Sequence, residues 1–246
     1  MKQHEAVIFA LEKLGGVATL GQLNIEVMKI PNCKWGTKTP FASIRRIVQT
    51  RPNEIYKIKP GLYGLISYKS KNEAKGYIEE TKSTKQTKEF NEFNHTYYQG
   101  LIATVGNLRK FNTYIPNQDK NKSYIGTKLG NISSLKIIPQ FSFPQIVKRS
   151  ATIDVIWFNE RYLPHSLFEV EHSTDIVNSL IKFNDLQDFS TRMIIVADSK
   201  RKREYENKIK FSVFKDINNR IKFLEYESLI KQYESLLLQQ SFETLI

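Results

Sequence analysis

Three acidic residues in the second half of the chain stand at a spacing suited to metal-assisted chemistry. Asp154 lies in Ile153-Asp154-Val155-Ile156-Trp157-Phe158, where Ile153, Val155 and Trp157 alternate with Asp154, Ile156 and Phe158 at the two-residue period of a strand, and Asn159 to His165 supplies a turn. Leu167-Phe168-Glu169-Val170-Glu171 then runs back, with Phe168 and Val170 on one face and Glu169 and Glu171 on the other. Such a hairpin sets Asp154 beside both glutamates. Like charges on adjoining strands repel without a counter-ion, so the cluster asks for a cation. The expected cofactor is Mg²⁺, with Mn²⁺ as a substitute: a hard ion that sits on one or two carboxylates plus phosphate oxygens, polarises a phosphate and activates water for phosphodiester hydrolysis. His165 and His172 belong to no zinc-spaced set.

Ile153-Asp154-Val155, a gap of about 15 residues, and Glu169-Val170-Glu171 resemble the core of the PD-(D/E)xK nuclease superfamily in its E-x-E form. The resemblance implies that Asp154 is the motif's Asp, Glu169 its central acid, and that Glu171 stands where a lysine is usual. It leaves two ways to fill the lysine's role: Glu171 as general base or second ligand, or Lys182 on the following helix. Phe168 to Ile176, with Asn184-Asp185-Leu186, is similar to bacterial restriction-endonuclease-like proteins, as is His95-Thr96-x-x-Gln99, and the leading helix of that group makes Gln99 a secondary candidate. The implied function is a type II-like restriction or modification-dependent endonuclease in phage defence. A non-catalytic DNA-binding regulator that keeps the nuclease fold, or a structure-specific or RNA-directed nuclease, is the alternative.

Elements that would position these residues follow from periodicity. Helices are expected over Phe93–Leu108, Asp175–Asp188, Lys200–Lys208 and Glu227–Gln239, and strands over Asn112–Ile115, Arg192–Ala197 and Ile221–Glu225. Together with the hairpin they predict an α/β (α+β) domain over 93–246, a restriction-endonuclease-like mixed sheet flanked by helices. The run Lys200-Arg201-Lys202-Arg203 could contact phosphates, but as a lone charge run it reads first as a solvated helix start.

Upstream, apolar residues at helical spacing from His4 to Leu14 stop at Gly15-Gly16. Thr19 caps a second helix to Met28, and a third runs from Thr39 to Gln49. Ile55–Lys59 and Leu62–Ile66 flank Pro60-Gly61 as a hairpin. Three helices and a hairpin predict a winged helix-turn-helix over 1–68, in which the third helix enters the major groove and the wing touches the backbone. Lys38, Thr39, Ser43, Arg45 and Arg46 on the helix, and Lys57, Lys59 and Tyr63 on the wing, are the candidate DNA contacts. Ala42 to Gln49 with Ile55 to Leu65 resembles the HARE-HTH winged helices. Residues 69–92, rich in Lys, Glu, Thr, Ser and Gln, read as a linker.

The net charge is +12 and the pI about 9.5, which makes a polyanion, double-stranded DNA, the first partner to consider. Residues 1–70 hold 11 Lys and Arg against 4 acids, so the smaller segment carries the larger share. No apolar run approaches the roughly 20 residues of a membrane span. The lone Cys33 and an N-terminus without secretory-signal features lead to a cytoplasmic expectation. Double-strand cutting needs two active sites, which a homodimer would supply.

Overall fold

The computed structural model describes residues 1–243; residues 244–246, the end of the expected second domain, lie outside the described residues. The chain divides into two compact units, one made of residues 1–93 and the chain from Ile230 on, the other of residues 94–229.

The first unit opens with α1 (Gln3–Lys13), β1 (Val17–Thr19), α2 (Leu20–Met28) and α3 (Pro40–Thr50), followed by β2 (Ile55–Lys59), β3 (Leu62–Leu65) and α4 (Lys69–Ala74). A capping box starts α2: the Gln22 N–H donates to the Thr19 hydroxyl at 3.2 Å, and the Thr19 N–H donates to the Gln22 side chain at 2.9 Å. Strand β1 was not expected from the sequence. It forms because Gly16, at φ +87°, turns the chain out of α1 where a Cβ would lie 2.4 Å from the Tyr68 ring. The three strands make an antiparallel sheet in the order β1-β3-β2. Ala6, Val7, Leu11, Leu23, Ile44 and Val48 bury helix faces against it.

The segment expected as a linker begins with structure. Asn72 of α4 is fully buried, donating to the Gly16 carbonyl and to the Tyr56 hydroxyl.

Helix α5 (Lys88–Leu108) leads into β4 (Asn112–Tyr114), the short pair β5 (Ser123–Tyr124) and β6 (Thr127–Lys128), α6 (Leu129–Ile132) and α7 (Pro144–Ser150). Next come β7 (Val155–Phe158), β8 (Pro164–Glu171), α8 (Ile176–Asn184), β9 (Arg192–Ala197), α9 (Lys202–Lys208), β10 (Ile221–Glu225) and α10 (Tyr226–Glu243). A five-stranded mixed sheet has the order β10-β9-β8-β7-β4; β4, β7 and β8 pair antiparallel, and β8, β9 and β10 pair parallel. The α+β class expected from the sequence is the class observed.

The register decides what each face carries. Val155 lies opposite Phe168 and Ile156 opposite Leu167, so Ile156, Phe158 and Leu167 share a face that packs with Leu180 and Phe183 of α8. Each of these fully buried side chains contributes about 1.5–3 kcal/mol. On the other face Trp157 donates its indole N–H to the Ile102 carbonyl of α5 at 3.1 Å. Among the described residues no helix is long and apolar enough to cross a membrane.

Candidate active site

The face that buries Leu167 continues along β8 into Glu169 and Glu171, both almost fully buried. Two carboxylates on one dry strand face repel unless something binds them, and α8 supplies the binders. Ser179, one turn before Lys182, contacts both: its hydroxyl lies 3.0 Å from Glu169 Oε2 and hydrogen-bonds Glu171 Oε1. Lys182 Nζ donates to Glu169 Oε2 at 2.8 Å and Oε1 at 3.0 Å, and to the Thr152 carbonyl at 3.1 Å. Thr174 donates to Glu171 Oε2.

Asp154 precedes the first residue of β7 and is tied to β8 and to α5. Its Oδ2 accepts the Val170 N–H at 2.8 Å and lies 3.1 Å from His95 Nε2. Its own N–H reaches Glu169 Oε1 at 3.3 Å. Its carbonyl accepts from Gln99 Nε2 at 2.8 Å, and the same nitrogen donates to Asp119 at 3.0 Å. Gln99 is fully buried, so it acts on the main chain of Asp154 rather than facing solvent. His95 and Gln99, four residues apart, present one face of α5 to this aspartate.

Electrostatics follow this geometry. Burial pushes Asp154 up, but His95, Lys182 and the Val170 amide outweigh it and hold the carboxyl below its ordinary range. Burial and the Asp154 charge drive Glu169 well above the usual range, against the opposing pull of Lys182 and Ser179. Burial raises Glu171, opposed by Ser179, Thr174 and Arg201. Burial works against the Lys182 charge, and the Glu169 carboxylate overcomes it, so the ammonium form is favoured.

The three acids expected from the sequence therefore converge, though not as three open ligands. Both Glu169 oxygens accept from Lys182, Oε2 also from Ser179, and both Glu171 oxygens are hydrogen-bonded by hydroxyls, with Arg201 Nη1 3.6 Å from Glu171 Oε2. Among the described residues no group of three or more His, Cys, Asp or Glu is arranged to hold a metal ion. Asp154 and Glu169 nonetheless offer hard carboxylate oxygens on adjacent chain segments, joined by the Asp154 N–H to Glu169 Oε1 contact at 3.3 Å, and Mg²⁺ is an ion that takes one or two carboxylates and fills its shell with water and phosphate oxygens.

Sequence reading gave no site role to His95, present only within the His95-Thr96-x-x-Gln99 resemblance, or to Ser179, and took Arg201 only as part of a basic run. The i,i+4 pair His95–Gln99 and the i,i+3 pair Ser179–Lys182 were the signals that could have found the first two.

In the first unit Lys38, Thr39 and Arg46 are exposed at α3, Ser43 is half-buried, and Lys57 is exposed on β2. Arg45 is exposed but donates to Glu234 at 2.7 Å. Two wing residues correct the expectation of outward contacts: Lys59 is 1% exposed and Tyr63 is 5% exposed. A register shift between Lys57 and Lys59 breaks the alternation that would have turned both lysines outward, and Tyr63 belongs to the unit's core.

A protein of Neisseria meningitidis serogroup C described as type II restriction enzyme NmeDI is 27% identical over 151 residues, covering 56% of this chain and 42% of that protein. The chain thus spans less than half the length of the curated relative it matches. No solved structure matches. The family model described as the type II restriction enzyme NmeDI C-terminal domain matches residues 77–245, a span that contains every member of the carboxylate site. On that match, over well more than half its length, the chain belongs to the NmeDI C-terminal domain family of type II restriction enzymes.

Proposed function

We propose that this protein is a Mg²⁺-dependent DNA endonuclease of the PD-(D/E)xK kind, in which Asp154 and Glu169 hold the ion and Lys182 fills the lysine's role. The observation that carries the reading is the clamp on the pair. Asp154 is fixed by His95, Gln99 and the Val170 amide, while Glu169 is gripped by Lys182 through both oxygens. Such second-partner fixation is what a preorganised site requires. A bound Mg²⁺ would supply phosphate polarisation and water activation. Lys182 Nζ carries the proton donors nearest Glu169 and is placed to orient a water or neutralise charge beside that carboxylate. Glu171, enclosed by Ser179, Thr174 and Arg201, holds the surrounding loop rather than the ion.

The HARE-HTH-like winged helix is the proposed selector of the DNA site. Its order of helices and strands, α1-β1-α2-α3-β2-β3, supports this, and Lys38, Thr39, Arg46 and Lys57 are the side chains available for contact. Phage defence and action as a homodimer accompany the reading by analogy with restriction enzymes.

The test is cleavage of methylated and unmethylated phage DNA with Mg²⁺ against an EDTA control. Wild-type protein is expected to cut only with the ion, and Asp154→Ala or Glu169→Ala to lose about 10³-fold or more of the rate while retaining duplex affinity. Full activity in either variant refutes the site. No cutting by wild type, with duplex binding intact, leaves a DNA-binding regulator.

A further inference from the structure

The basic run from Lys200 to Arg203 is the solvated helix start expected from the sequence at three of its four positions, and Arg201 is the exception. Ala197, the last residue of β9, is paired in register with Glu171, so the run begins three residues beyond the strand position that faces the carboxylate site. Arg201 fastens it there. Its Nε and Nη2 engage both oxygens of Glu204 at 2.9 Å, Nη2 also donates to the Thr174 carbonyl at 2.6 Å, and Nη1 stands 3.6 Å from Glu171 Oε2. Its side chain is only 16% exposed. The Asp198 side chain caps the same turn through the Lys200 N–H at 2.9 Å.

With Arg201 turned inward, its neighbours face out. Lys200 and Arg203 are exposed, and neither has an ion-pair partner among the described residues; Glu204 is held by Arg201. Lys202 approaches Glu225 only at 4.0 Å. A rigid anchor between two unneutralised cations, on the rim of a site read as phosphodiester-cleaving, is the arrangement that meets a polyanion passing over that site.

We propose that Lys200 and Arg203 form a docking rim for backbone phosphates of the DNA lying across the carboxylate site, with Glu171 and Arg201 as the positioning pair that holds the rim in place. The identity of the DNA strand as substrate rests on the nuclease reading; the phosphate contact itself does not. Each such contact steepens the dependence of affinity on salt by about 0.9 in log–log slope.

Duplex binding is measured by fluorescence anisotropy in EDTA across a salt series for wild type, Lys200→Ala/Arg203→Ala, and a control double variant of equal charge loss, Lys215→Ala/Lys222→Ala, at the opposite end of the parallel strands. Cleavage by wild type with Mg²⁺ is followed in parallel. The first variant is expected to bind more weakly with a slope shallower by about 2, and the control to keep the wild-type slope. An unchanged slope in Lys200→Ala/Arg203→Ala, an equal change in the control, or no duplex binding by wild type overturns the proposal. A shallower slope in a wild-type background that does not cut upholds the rim and removes the nuclease reading instead.

Discussion

Ser179 shows how much of the site depends on a side chain without chemistry of its own. A hydroxyl has one proton to donate and two lone pairs, yet Ser179 contacts a carboxylate on either side. Removing it leaves two buried carboxyls short of a partner, which costs about 1–3 kcal/mol. Ser179→Ala is therefore expected to lower the melting temperature by roughly 2–4 °C for each kcal/mol lost, read by calorimetry; an unchanged transition contradicts the shared-hydroxyl role. The acids themselves were legible in sequence because strand period alone puts Glu169 and Glu171 on one face. His95 and Ser179 were signalled only by their helical spacing from Gln99 and Lys182, since their contacts with Asp154 and the glutamates join separate elements. Gln99 was legible as a position but not as an environment: it is buried against a backbone carbonyl.

Element by element, long periodic segments were readable, and short ones set by tertiary pairing were not. Helices α1, α2 and α8 carry their own stop or cap signals, of which the Thr19 capping box is the plainest. Strand β1 is three residues long and is completed by pairing with β3, and the β5–β6 pair is two residues a side. The bulge in β2 had the largest consequence, since it buries Lys59 over Phe93 at 4.9 Å and Phe90 at 5.9 Å. Burial holds this amine well below the ordinary lysine range, with Glu80 opposing. Because the folded value lies under the unfolded one, unfolding takes up a proton between them, and stability rises with pH through that window. Lys59→Met is expected to raise stability at pH 7 by about 1 kcal/mol or more, the gap from wild type closing as pH rises toward about 10.4. Thermal melts over pH 7–10.5 check this; a variant less stable than wild type, or a gap independent of pH, contradicts it.

For the molecule as a whole, charge and fold class were plain from composition and pattern, while the division into units was less so. The polar stretch 69–92 lacks apolar periodicity, yet Asn72 and Phe90 within it are buried. The excess of +12 predicts salt-sensitive duplex binding, with individual arginines unequal. Arg46→Ala is expected to make the salt slope shallower by about 1, whereas Arg45→Ala changes it less because Glu234 already neutralises that guanidinium; equal slopes for the two would contradict the pairing. The central claim is that Asp154 and Glu169 grip a divalent ion against DNA. Its most direct test is Mn²⁺ titrated into the protein–duplex complex, with the free-ion signal followed by electron paramagnetic resonance. Wild type should take up the ion, and Asp154→Asn and Glu169→Gln should bind it about 10-fold or more weakly. Equal uptake by wild type and both variants, or none by wild type, would contradict the account.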